Sequence, residues 1–433
     1  MSKRFESIRL RIYISVLSLF LYVFVKISVC LFAGAFLLEQ TLGWNFYGSI
    51  VFILILTFIF VTIKSLSTIS KIIQTTLLLI LTITLAILAV DKIGGLSKLY
   101  DSYIAAVPIG SSKATGSDQF LGEYNSSLER KLICDPPSSL DFHLLRPVSD
   151  KHTPWLGFLF GQTIVSIWYW CTDSMIIHPM LESSSLSHAQ ASSLFVSFLK
   201  IFPFFIIVIP GMVARILHTE VVACVVPEIC EFFCNNRLSC ANTAYPALIL
   251  GLMPSPLKGL ILGTLIGALI FDLASILRTS GKIILLDVWL IFRKEADFRE
   301  KTFVRRGFII LMVLIGVAWV PVVERIDGGQ LYFYIQDIIA TFAPPIAAIF
   351  ILAITVSRIT EFGAFISLVC GLFISLARIA LIISFPEVDC CTTRPWIVRV
   401  HFMYFAIFLF FVTVAICIGI SQFVDPDMSE LVI

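Results

Sequence analysis

The sequence predicts an all-α polytopic membrane protein. Of its 433 residues, 58% are hydrophobic and only 14% are charged, and its mean hydropathy is +0.97. A soluble fold with so few charges could not cover so much apolar surface. The net charge is +2, and no run alternates Lys or Arg with aromatic residues, so nucleic-acid binding has no support.

Apolar runs of about 20 residues, the length that crosses the hydrocarbon core, predict ten transmembrane helices. Their approximate ranges are 12–38, 45–63, 71–90, 155–179, 192–216, 257–278, 307–323, 331–355, 363–384 and 401–422. Backbone groups in lipid must hydrogen-bond internally, so each run is expected to be helical. The first run is too long for a signal-peptide core and has no clear small-x-small cleavage site, so we interpret it as the first span.

The distribution of Lys and Arg predicts that both termini are cytoplasmic. The N-terminus carries Lys3, Arg4, Arg9 and Arg11, and a second basic group lies between residues 278 and 306. An even number of intervening spans puts both groups on one side, which the positive-inside rule identifies as the cytoplasm. The chain then forms a single transmembrane domain, 1–433, with a cytoplasmic loop at about 279–306. Loops at about 91–154, 217–256 and 385–400 face outside.

The cysteines agree with this orientation. Seven of the eleven fall in the outer loops and none in a cytoplasmic loop, as an oxidising exterior favours. The seven are Cys134, Cys224, Cys230, Cys234, Cys240, Cys390 and Cys391. A four-cysteine zinc site within ACVVPEICEFFCNNRLSC is the alternative, although its spacing lacks the close CxxC pairs of zinc ribbons. Asn125 begins a glycosylation sequon on the same predicted side.

The segment SIWYWCTDSM places aromatic and polar side chains in the middle of the fourth predicted span. Such residues mark a pathway or a packing contact, and an interfacial aromatic belt is the structural alternative. We favour a site, in which the rings face the C–H face of a sugar while Ser166 and Tyr169 bond its hydroxyls. Lys200 and Gln336 are further candidates, with snorkelling and an interhelical hydrogen bond as their respective alternatives.

Several segments resemble the sodium/glucose cotransporter family, part of the sodium:solute symporter superfamily. They include WYWCTDSMI, FLKIFPFFIIVIPGMVARIL, GQLYFYIQ, APPIAAIFILAI and RITEFGAF, in collinear order over nearly the whole chain. The resemblance implies a LeuT-type fold of two inverted five-helix repeats. It also implies that the chain starts near the third core helix. The first two core helices and the final helix after about residue 422 are then missing, which leaves the five-plus-five bundle incomplete.

The resemblance implies roles for several residues. Sugar-contact positions fall on Ser166, Tyr169, Trp170, Lys200 and Gln336, and Tyr169 also falls at the inner-gate position.

The family pattern further implies three disulfides. These are Cys224–Cys230, Cys234–Cys240 and Cys134–Cys390, with Cys391 as a competitor in the last.

The sodium ligands of the family are where this sequence departs from the pattern. Phe271 and Asp272 replace two adjacent serines, and Lys71 stands where some members have an aspartate. Asp272 could take a proton or a cation. The alternative we favour is a salt bridge with Arg278 or Lys282.

The resemblance therefore predicts a sodium-coupled symporter for a glucose-like sugar in the plasma membrane, working by alternating access. Its partners are the lipid bilayer and a small-molecule sugar, and it needs no cofactor beyond the coupling Na⁺, on which the departures cast doubt. The alternative is a truncated, non-transporting or sugar-sensing membrane protein in which sodium coupling is lost.

Lys26, also in mid-span, is expected to pair with a carboxylate or line water. No nucleophile–base pair, phosphate loop or HExxH motif is present, so we predict no enzyme.

Overall fold

The structure is a computed structural model that describes residues 2–62, 68–108, 139–150, 152–224, 227–234, 239–325, 331–385 and 395–424. Within these ranges the regular structure is helical, with one isolated bridge between Arg146 and Pro154. The prediction of an all-α protein is confirmed.

We number the helices of the bundle α1 to α12 along the chain. They are α1 (Ile8–Leu42), α2 (Phe46–Thr62), α3 (Thr68–Lys92), α4 (Gln162–Cys171), α5 (Ser174–Leu181), α6 (Leu186–Leu217), α7 (Ala244–Leu252), α8 (Ser255–Phe292), α9 (Phe298–Arg325), α10 (Leu331–Thr355), α11 (Glu361–Ser384) and α12 (Phe402–Phe423). Short helices in the connections are Ser2–Phe5, Leu96–Lys98, Leu99–Ala105, Ser139–Phe142, Thr219–Val222, Pro227–Cys234, Ala241–Thr243 and Trp396–Arg399.

Eight helices in the described part of the chain are long and apolar enough to cross a membrane: α1, α3, α6 and α8 to α12. The second predicted span is the shorter apolar helix α2, and the fourth is divided between α4 and α5. The cytoplasmic loop predicted at 279–306 is much shorter in the structure. Helix α8 passes the polar stretch at 278–282 and continues through an apolar segment to Phe292, and α9 begins in charged sequence at Phe298.

Helix α1 lies at the centre of the bundle and contains a π turn, Tyr22–Ile27. The Ser28 hydroxyl donates to the Phe24 carbonyl at 2.9 Å. The Tyr334 hydroxyl of α10 donates to the same carbonyl at 2.6 Å and accepts from the Trp319 indole N–H of α9 at 2.8 Å. Side chains thus satisfy a carbonyl at the π turn, and the same hydrogen bonds join α9 and α10 to α1.

Helix α4 packs against α1, α10 and α12 through an apolar cluster. Its members include Val25, Trp168, Phe342, Met403 and Ala406. Just before α4, a π turn at Gly157–Gly161 brings Gly161 against the backbone of Met403 in α12. This close approach fixes the distance between α4 and α12.

The fourth predicted span breaks at Thr172 and Asp173. Asp173 is extended (φ −69°, ψ 119°), and its side chain accepts from the Met175 backbone N–H as the N-cap of α5. The N–H groups of Thr172 and Asp173 both bond to the Trp168 carbonyl, at 3.0 and 3.1 Å. Our prediction of one continuous helix over 155–179 is therefore wrong, because Asp173 caps a new helix where we expected the first to continue.

Helix α6 departs from regular α-helical geometry beside Pro203. Proline lacks a backbone N–H, and its ring clashes with the carbonyl four residues earlier, at Leu199. The regular α-turns accordingly stop at Leu199, a turn follows at Lys200 and Ile201, and a π turn covers Phe204–Val208. Lys200 therefore lies at the kink of α6.

Candidate functional site

One face of α4 carries the candidate site. Gln162, Ser166, Tyr169 and Trp170 are spaced by four, three and one residues, so they share one side of the helix. Each is half-buried, whereas Trp168 on the opposite face is buried in the core with 2% of its surface exposed. We call these four residues the α4 stripe.

Trp170 meets Lys200 at one end of the α4 stripe. The Lys200 ammonium lies 4.2 Å from the centre of a Trp170 ring, a cation–π geometry. The ring of Tyr169 stands beside that of Trp170, with centroids 5.1 Å apart and planes at 85°. The kink of α6 and the last turn of α4 together form a wall of two rings and an ammonium donor.

Gln336 of α10 meets the other end of the stripe. Its side-chain oxygen accepts from the Gln162 amide nitrogen at 3.0 Å. This contact is the interhelical hydrogen bond that we gave as the alternative for Gln336, and it leaves the Gln336 amide nitrogen as a further donor. Sequence reasoning missed Gln162, although its position four residues before Ser166 would have placed it on the same face.

A buried ion pair lies behind the stripe. Lys26 of α1 bonds to the carboxylate of Asp173 at the break between α4 and α5. The side chains of Lys26 and Asp173 are 13% and 1% exposed, so both charges are withdrawn from solvent and depend on each other. The expectation that Lys26 pairs with a carboxylate agrees with this contact.

Asp272 of α8 has a different neighbour from the one we favoured. It accepts from the Cys30 thiol of α1 at 3.5 Å. Arg278 donates instead to the Phe60 carbonyl at 2.5 Å, and Lys282 pairs with Glu182 at 3.1 Å. Arg278 follows Asp272 by six residues and therefore points to another side of α8, which explains why the predicted salt bridge is replaced.

The adjacent Phe271 is a packing residue. Its ring contacts that of Phe60 in α2, with centroids 5.3 Å apart and planes at 62°. Its side chain offers no oxygen to a cation.

Two disulfides close short loops after α6. The structure joins Cys224 to Cys230 and Cys234 to Cys240, with Cα atoms 5.5 and 5.6 Å apart. Cys134 and Cys390, implied as a third pair, lie outside the described residues, as does Asn125 of the sequon. The sulfur atoms of Cys224, Cys230 and Cys240 lie within 4.8 Å of one another. Three reduced thiols at this spacing could also bind zinc, so the experiment below distinguishes the two chemistries.

We expect non-reducing peptide mapping of the purified protein to recover the two short-range disulfides and no zinc. The spacing of both pairs suits a disulfide without movement of the backbone. Free thiols across residues 224–240, or stoichiometric zinc in the same preparation, would contradict the pairing. Cys171, an exposed free thiol, provides the internal control for alkylation.

The profile of the sodium:solute symporter family matches residues 1–371. The chain belongs to the sodium:solute symporter family. Sodium is the coupling ion of this family. The resemblance seen in the sequence is therefore confirmed at the level of the family.

Curated members of the family resemble the chain over nearly all of its length. It is 40% identical to sodium/glucose cotransporter 2 of Rattus norvegicus, over 98% of this chain and 63% of that protein. It is 38% identical to the sodium/myo-inositol cotransporter of Homo sapiens, over 99% of this chain and 60% of that protein. The chain thus spans about three fifths of the length of these relatives, which are named for two different solutes.

A solved transporter structure has a similar fold. A substrate-bound, outward-open Na⁺-coupled sialic acid symporter matches 98% of this chain and 76% of its own, with a TM-score of 0.64 and 15% identity. The likeness shows the fold alone, which is LeuT-like as the sequence resemblance implied. The protein is a multi-pass membrane protein of this family.

Proposed function

We propose that the protein binds an uncharged, polyhydroxylated solute, a hexose or a cyclitol such as myo-inositol, on the α4 stripe. By its family, it carries this solute across the plasma membrane with Na⁺ by alternating access. The orientation proposed with it has both termini in the cytoplasm and the disulfide-bonded loops outside, where Asn125 would be glycosylated.

The single observation that supports this proposal is the composition of the α4 stripe and of Gln336, which is hydrogen-bonded to it. The rings of Tyr169 and Trp170 suit the apolar C–H face of a pyranose or cyclitol ring. The amide groups of Gln162 and Gln336 offer donors and acceptors without net charge, which suits hydroxyl groups. A small solute site combines an apolar wall with a few orienting polar groups in this way.

Replacing Trp170 or Gln336 with alanine should weaken solute binding and leave surface expression intact. Each substitution removes a contact of about 0.5–1.5 kcal/mol, which corresponds to a few-fold loss of affinity. The measurement is equilibrium binding of radiolabelled glucose and of radiolabelled myo-inositol to the detergent-purified protein.

Gln190→Ala is the matched control for Gln336, because Gln190 is exposed on the outer face of α6. Parental affinity in both site variants would place the solute elsewhere. The ratio of the two affinities in the parent identifies the preferred solute.

A second candidate function, solute binding without sodium coupling, is favoured by three side chains. Phe271 packs on Phe60, Asp272 contacts Cys30, and Lys71 is exposed near the start of α3. By the family resemblance these positions would supply sodium ligands. A phenyl ring has no oxygen to offer, and an ammonium at such a position repels Na⁺.

Exchange of sodium for choline separates the two candidates. The second candidate predicts that glucose or myo-inositol binds equally in both buffers, because an ion that favours neither conformation shifts no equilibrium. Tighter binding in sodium, or a sodium-dependent, solute-evoked inward current in voltage-clamped cells, would establish coupling and overturn the second candidate.

A further inference from the structure

The solute site proposed above makes no use of one buried charge, Lys26. This residue lies near the middle of α1, a helix of 35 residues, and its side chain is 13% exposed. An ammonium at this depth requires a partner. Asp173, with its side chain 1% exposed, is that partner.

Three side chains form one hydrogen-bonded unit around the helix break. Lys26 binds one carboxylate oxygen of Asp173, and the Tyr22 hydroxyl donates to the other. The Met175 N–H at the start of α5 donates to both the Tyr22 hydroxyl and Asp173, each at 3.1 Å. We call Tyr22, Lys26 and Asp173 the Asp173 latch. It joins the π turn of α1 to the first turn of α5.

The Asp173 latch also touches the α4 stripe. The Lys26 ammonium lies 5.3 Å from the ring centre of Tyr169 and 4.6 Å from that of Tyr22. Asp173 follows Trp170 by only three residues. Lys26 therefore forms an ion pair at the break between α4 and α5 and also contacts the Tyr169 ring of the α4 stripe.

We propose that Lys26 is a positioning residue for solute binding: it anchors the α4–α5 break through Asp173 and holds the Tyr169 ring in place. This inference rests on the proposed function. It predicts that Lys26 contributes to solute affinity without touching the solute, through cation–π support of Tyr169 and through the tethered backbone at the break.

Neutral substitutions separate this role from a purely structural one. Lys26→Met removes the ammonium and leaves Asp173 as an unpaired buried carboxylate. Asp173→Asn in the same chain removes that charge while keeping an N-cap residue for α5 and an acceptor for Tyr22. The double variant therefore has no unpaired charge but also no ammonium behind Tyr169.

We expect Lys26→Met to lower the melting temperature and to weaken binding of labelled glucose or myo-inositol about tenfold. In the double variant the melting temperature should return close to that of the parent, while the affinity stays weak. Lys92→Met is the matched control, because Lys92 is exposed at the end of α3, and it should change neither quantity.

Recovery of parental affinity in the double variant would overturn the positioning role and leave a structural ion pair. Parental stability and affinity in Lys26→Met would overturn the latch itself. If the parent binds neither solute, the proposed function fails. The latch is then judged by the maleimide-labelling rate of Cys171, next to the break, measured by mass spectrometry. A rate changed in both variants supports the anchor, and an unchanged rate overturns it.

Discussion

Replacing Gly161 with alanine is expected to force α4 away from α12 and to destabilise the folded protein by about 1–3 kcal/mol. A Cβ atom at Gly161 would lie against the Met403 carbonyl oxygen, with the carbonyl carbon at 2.9 Å and the Cα at 3.1 Å. These atoms belong to the backbone of α12. They cannot rotate away as a flexible side chain could, so a whole helix must shift.

Thermal denaturation in detergent measures this effect, and Gly263→Ala is the control. A Cβ atom at Gly263 in α8 meets nothing within 4 Å, so alanine there removes only the flexibility of glycine in a helix and should be neutral or stabilising. Because Gly161 precedes Gln162, its variant should also weaken solute binding. If the Gly161→Ala protein has the same melting temperature as the parent, α12 can shift without a loss of stability and the prediction is wrong.

Replacing Trp168 with alanine should cost about 3–5 kcal/mol, because it empties the centre of an apolar cluster. Trp168 is 2% exposed and packs among residues of α1, α10 and α12. Loss of so many dispersion contacts is not offset in a membrane, where lipid cannot fill an internal void.

Trp170 serves as the matched comparison on the same helix. Trp170→Ala should lower solute affinity at nearly parental stability, whereas Trp168→Ala should lower the melting temperature and the yield of folded protein. The comparison keeps the residue type and the helix constant and changes only the face. Equal melting temperatures for the two variants would contradict the division of α4 into a core face and a site face.

The long helices could be predicted from the sequence because their signal is local. An apolar run of sufficient length specifies a helix whatever surrounds it. Predicted limits such as 331–355 therefore match α10, Leu331–Thr355. The ends were less predictable, since the polar stretch at 278–282 ends the predicted span although the segment after it, 283–292, is again apolar.

The break at Thr172 and Asp173 was missed for a different reason. Asp173 lies in an apolar stretch that predicts one continuous helix. The two side chains that hold it in place, Lys26 and Tyr22, are 147 and 151 residues away in the sequence. Only the Thr-Asp-Ser order, an N-cap pattern, marked the site locally. Contacts across the bundle decide such a position, and a single sequence does not contain them.

The candidate site was predictable in part. Polar and aromatic side chains in mid-span pointed to Ser166, Tyr169 and Trp170, and a charge in mid-span drew attention to Lys200. The ring that Lys200 meets could not be read from the sequence, because it depends on the kink at Pro203. For Asp272, the nearby basic residues suggested a salt bridge. Their side chains point to other sides of α8 and bond to other partners.

The four π turns in the described helices, at Tyr22–Ile27, Gly157–Gly161, Phe204–Val208 and Ile284–Trp289, have a consequence for changes in chain length. A π turn holds one residue more than an α-turn, and the helix beyond it keeps nearly the rotation it would have without that residue. Loss of one residue there leaves an ordinary α-helix with its downstream faces unchanged. The same deletion elsewhere turns every later side chain by about 100°. Single-residue deletions can therefore be accommodated at these four turns without moving the buried faces of α1, α4, α6 and α8 out of the core.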